Sequence, residues 1–112
     1  MTYTEIVSML ESIGLPLAYH HFEEGESPDP PFLIFYFPNT DNFGADDKVY
    51  QKVQILDIEL YTDAKDPALE GQIESVLDDH EMFYDKNESW IASEKMYEVI
   101  YEMEILYHGE QD

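Results

Sequence analysis

The stretch "VYQKVQILDIELYTDAKDPALEGQIESVLDDH", residues 49–80, passes from a strand pattern into a helix pattern, and its reading decides the fold class. Val49 to Thr62 is rich in β-branched and apolar side chains and reads as one long strand. Its apolar phase shifts part way along: Val49, Val53 and Ile55 are odd, Leu56, Ile58 and Leu60 even. The shift predicts either a bulge near Ile55 and Leu56 or a strand covered on its two faces at different heights. Unbroken, the strand would reach about 45 Å in a domain whose radius of gyration should be about 13 Å, so it must bend or project. Asp66 then suits an N-cap, Pro67 the first helical position, and Leu69, Ile73, Val76 and Leu77 form one apolar stripe. Gly71 inside this helix costs roughly 1 kcal/mol relative to alanine and is expected to mark a close approach of helix to sheet.

Upstream, "FLIFYF" (Phe32–Phe37) is a continuous apolar run between prolines, the pattern of a buried strand. "EEGESPDPP" before it reads as an exposed loop, and "LAYHHF" as a short strand. Near the start, Thr2 and Glu5 have capping-box spacing, Ile6, Met9, Leu10 and Ile13 share a helical face, and Gly14 supplies a left-handed stop. Downstream, "MFYDKNESW" reads as a short strand and turn, and "KMYEVIYEMEILY" alternates apolar with glutamate. Met96, Ile100, Met103 and Tyr107 would also fit a helical stripe, but the Tyr, Val and Ile content favours a strand. The expectation is a single α+β domain over residues 1–112: a mostly antiparallel sheet of four to five strands, two α-helices packed on one face, and a long projecting β-hairpin.

The chain has 26 acidic and five basic residues, a formal charge of −21, which repels nucleic-acid phosphates and anionic membrane surfaces. Hydrophobic residues at 44% nevertheless suffice for a packed core. Cysteine is absent, so neither a disulfide framework nor a thiolate metal site is expected. "MTYTEIVSML" lacks the pattern of a secretion signal and no stretch approaches a membrane span, so a soluble protein of the cytoplasm is expected.

The acid-rich "FPNTDNFGADDKVY", residues 37–50, invites a calcium reading. Counted from Asn39 as an EF-hand loop, it places Phe43 at position 5 and Tyr50 at position 12, where oxygen ligands are needed. A solvated connection between strands is the better expectation. "HHFEE" supplies His20, His21, Glu23 and Glu24, but neighbours on a strand point to opposite faces, so no metal is expected there. Asp78 and Asp79, or Glu102 and Glu104, are pairs that so acidic a composition produces by itself, the latter more simply a polar wall. There is no G-x-S-x-G, no phosphate-binding glycine loop and no thiol nucleophile, so neither an enzyme nor a cofactor is expected. Tyr36, Tyr50, Tyr61, Tyr97, Tyr101 and Tyr107 lack the basic groove that accompanies base stacking, which leaves sheet packing or a protein interface.

Taken together, "GLPLAYHHF", "PPFLIFYFPNTDNFGADDKVY", "IELYTDAKDPALEGQIESVLDDH" and "KMYEVIYEMEILY" resemble the head-to-tail joining, or tail terminator, proteins of long-tailed phages. The resemblance covers nearly the whole chain in matching element order. It implies a non-catalytic virion protein, assembled in host cytoplasm as a hexameric ring that sits on the finished tail tube and offers a surface to the head connector. Under it, the loop Pro38–Lys48, with Asn39, Asp41, Asn42, Phe43, Asp46 and Asp47, would be a contact or lumen-facing element. Tyr97, Tyr101 and Tyr107 would be sheet-packing or intersubunit residues. Two other readings stand beside it: a neighbouring neck component, and an acidic DNA mimic that occupies a host DNA-binding enzyme.

Overall fold

A capping box opens the first helix, α1 (Tyr3–Glu11): Thr2 accepts from the Glu5 amide, and the Glu5 carboxylate accepts from the Thr2 amide. Gly14, at φ 89°, turns the chain out of it. There follow β1 (Leu17–Tyr19), β2 (Phe32–Tyr36), β3 (Phe43–Ala45), β4 (Lys48–Gln51), β5 (Val53–Thr62), α2 (Pro67–Asp79), β6 (Tyr84–Ile91) and β7 (Met96–Leu106). This computed structural model describes residues 1–40, 43–45 and 48–107, with 43–45 and 48–51 described by backbone alone.

Five strands form one mixed sheet in the order β1-β2-β5-β7-β6, and the fold is α+β. Every pairing is antiparallel except β1 with β2. That parallel pair follows from the proline-rich connection of residues 20–31, which is long enough to return the chain to the end from which it left. The continuous apolar run of β2 buries Phe32, Leu33, Ile34 and Phe35, as an interior strand should.

The long strand expected over Val49–Thr62 is broken at Lys52 into β4 and β5. No bulge occurs at Ile55 and Leu56, because the β5–β7 register runs without a slip from Val53 opposite Leu106 to Thr62 opposite Tyr97. The phase shift instead reflects different residues on the two faces. Leu56, Ile58 and Leu60 lie on the face that carries Leu33, Phe35, Val99, Tyr101 and Met103, while Val53 and Ile55 lie on the other. β3 and β4 form a separate two-stranded sheet, whose register shifts between Phe43 and Gly44.

Ile6, Met9 and Leu10 of α1 and Ile73 and Leu77 of α2 join a single buried cluster with Leu33, Phe35, Leu56, Ile58, Leu60, Val99, Tyr101, Met103 and Ile105. All the strand members of that cluster occupy one face of the sheet. Gly71 corrects an expectation: it is exposed, and a Cβ there would meet nothing within 4 Å, so close packing is not why it is glycine.

Candidate functional site

The second face of the sheet carries the chemistry. Reading across the strands by register, its rows are Phe32, Tyr61, Glu98 and Ser89; then Ile34, Glu59, Ile100 and Asn87; then Tyr36, Asp57, Glu102 and Asp85. Ile55 opposite Glu104 and Val53 opposite Leu106 continue it. Alternation dictates this composition, because the residues between them belong to the helix-covered core. The loop after β1 covers its β2 end, where His20 packs edge-on against Tyr36 and Phe22 edge-on against Phe32.

Six carboxylates therefore share one face, and no lysine of these strands lies on it. Glu102 is flanked directly by Asp57 on β5 and by Asp85 on β6, an arrangement of like charges that opposes strand pairing. Asp57 is only 7% exposed. Burial, and then the neighbouring Glu102 carboxylate, raise its pKa, while a hydrogen bond from the Tyr36 hydroxyl acts in the opposite sense. Its Oδ1 is buried and accepts no hydrogen bond from a described donor. A second cluster lies two residues along, where the Tyr61 hydroxyl is 2.8 Å from Glu59 Oε1 and 2.5 Å from Glu98 Oε2. One phenol carries one proton, so it donates to only one of these carboxylates at a time. Burial, ahead of repulsion from Glu98 and Asp57, raises the Glu59 pKa, and the Tyr61 phenol is raised strongly by burial and by both carboxylates.

At the β6 end the face opens into a recess of about 390 Å³, lined by Ile55, Phe83, Asp85, Glu102, Met103 and Glu104. Phe83 is 92% exposed. The recess thus combines apolar walls with three carboxylates and sits beside Asp57.

The basic residues of the centre of the fold lie on the helix-covered face. Glu70 of α2, 3% exposed, meets Lys65 at 2.8 Å and Lys86 at 2.9 Å. Lys86 also meets Glu74, which accepts the Tyr101 hydroxyl at 2.7 Å, and Lys65 meets Glu88. Burial would raise the Glu70 carboxyl, but the two lysines outweigh it and hold it below the usual carboxylate range. This network ties α2 to β6 and β7 and commits both lysines to the helix-covered side.

The residues named from the sequence are scattered. Asp41, Asn42, Asp46 and Asp47 lie outside the described residues, and Phe43 is described only as the first backbone position of β3. Asn39 is exposed, and its carbonyl accepts from the Ile55 amide, which pins the start of the loop to β5. Tyr101 is fully buried and packs within the sheet core, its hydroxyl donating to Glu74. Tyr97 packs at a tilt against Trp90 on the same face, and Tyr107 packs edge-on against Phe37. The separation expected for His20 and His21 is overturned: β1 ends at Tyr19, His20 takes φ 68°, and the two Nδ1 atoms lie 3.0 Å apart. Among the described residues, no group of three or more His, Asp or Glu is arranged to hold a metal ion. No described helix is long and apolar enough to cross a membrane.

The sequence singles out neither Asp57 nor Glu59, and Tyr61 only as one of the tyrosines expected in sheet packing or a protein interface. Their odd numbering against Leu56, Ile58 and Leu60 marks them as one face. Their alignment with Glu98 and Glu102 needs the strand register, which the sequence does not display. No protein-family model matches the chain, and no curated protein matches it.

Proposed function

We propose that the chain is a non-catalytic structural subunit of the head-to-tail joint of a long-tailed phage, acting as a tail-terminator ring, hexameric in the virion. The observation that carries this reading is the one-sided sheet. Helices cover one face, the other presents aromatic and carboxylate side chains, and the eight-residue strand β6 pairs on one side only among the described residues. A strand with one unpaired side is a template for adding a neighbour's strand, and an uncovered face is a surface for a different partner. A subunit of this kind closes into a ring by its edges and keeps its face for the tube or the connector.

Growth of the tail stops when a ring matches the last tube ring on one side and withholds the propagating surface on the other. The acidity serves the same end, since DNA passes an acidic lumen without adhering to it. Repulsion among subunits opposes closure, so ring formation is expected to strengthen as salt screens it. The test is negative-stain microscopy of tail tubes with and without the purified chain, together with sedimentation at two protein and two salt concentrations. Capped tubes and a salt-promoted ring support the proposal. Bare tube ends overturn the capping role, and a ring that dissociates as salt rises overturns the charge argument.

A further inference from the structure

The recess at the β6 end of the uncovered face combines a carboxylate row with exposed apolar area, and both point to one kind of occupant. We propose that it docks a polypeptide segment of a partner protein that presents an arginine or lysine between apolar residues, the cation reaching Glu102 beside Asp57. Three independent features converge on this. The face carries six carboxylates and no lysine of its strands lies on it, so a second copy of the chain, presenting the same carboxylates, would be repelled. Asp57 Oδ1 is buried without a hydrogen bond from any described donor, and a cation seated on the neighbouring Glu102 would stabilise that carboxylate from one strand away. Beside it, Ile55 and the 92%-exposed Phe83 border a recess of about 390 Å³ that suits the aliphatic stem of a basic side chain. A guanidinium or ammonium on Glu102 would also offset the repulsion between Asp57 and Glu102, which face each other across β5 and β7. The inference does not depend on ring formation, and a chain that never assembled would still have this site.

The experiment uses the full chain and a blocked peptide in which arginine alternates with isoleucine, titrated at near-physiological ionic strength and followed by amide shifts in NMR. A matched peptide with citrulline in place of arginine removes the charge and keeps the shape. Shifts are expected to centre on β5, β6 and β7, and Asp57→Asn/Glu102→Gln should weaken binding at least roughly tenfold. Asp78→Asn/Asp79→Asn makes the same charge change at exposed positions of α2 and should stay within about twofold of the parent. Phe83→Ser, at a position too exposed to matter for folding, should weaken binding while leaving the unfolding transition in place. Equal weakening by the two double variants, equal binding of the citrulline peptide, or shifts spread over the whole acidic surface would overturn the proposal.

Discussion

Asp57 places a carboxyl where burial and Glu102 both oppose its ionisation. Because its folded pKa is raised, the native state holds this proton more readily than the unfolded chain does. The associated stability is fully present below the usual aspartate pKa and is lost as pH rises through the folded value. Asp57→Asn, by removing a buried carboxylate, is therefore expected to stabilise the protein by about 1 kcal/mol at neutral pH. That gain should shrink as the pH is lowered toward about 4, as urea unfolding at several pH values would reveal. Glu70 behaves oppositely. Its folded pKa is lowered by Lys65 and Lys86, so its contribution is present above the usual glutamate pKa and disappears as pH falls through the folded value. Glu70→Gln should cost about 1–2 kcal/mol at pH 7, less than a fully buried pair because both lysines reach solvent. The difference should vanish in acid, and an unchanged difference at low pH would show that packing rather than charge is responsible.

At the scale of elements, α2 holds an exposed glycine with open space around it, so Gly71→Ala should stabilise the protein by about 1 kcal/mol through helix propensity alone. Gly14 has equal space but sits at φ 89°, where a side chain is strained, and Gly14→Ala should destabilise by about 1 kcal/mol. The pair is diagnostic when both melting curves are measured side by side: two glycines with the same room should give shifts of opposite sign, because only one of them needs the left-handed backbone. β5 teaches a related lesson. Its two faces are both partly apolar, and a sequence pattern that looks like a bulge arises without one, since Val53 and Ile55 serve a different face from Leu56 and Leu60.

Across the whole molecule, charge is divided by the sheet. Lys65 and Lys86 are committed to glutamates on the helix-covered side, while six carboxylates occupy the uncovered side. The molecule is elongated, 49 × 30 × 24 Å, with β6 at one edge of its main sheet. Association through that edge should rise with ionic strength, whereas capture of the cationic peptide on the face should fall with it. Sedimentation and peptide titration over the same salt series would check the pair. If both moved in the same direction, a single electrostatic contact would account for them and the separation of edge from face would fail.

Local chemistry alone was enough for the helices and most strands: the capping box at Thr2 and Glu5, the Asp66–Pro67 start, the apolar run of β2 and the alternation of β7 each specify their element within a few residues. The charge of −21 likewise sets, from the sequence alone, the expectation that phosphate-rich partners are repelled. The parallel placement of β1, the break at Lys52 and the convergence of His20 with His21 depend on how the chain returns to itself. The candidate site depends on this most of all. Asp57 and Glu102 are 45 positions apart and ordinary in a chain with 26 acids. Only the register of β5 against β7, and helices that cover the opposite face, turn them into facing carboxyls, Asp57 buried and Glu102 exposed, beside an open recess.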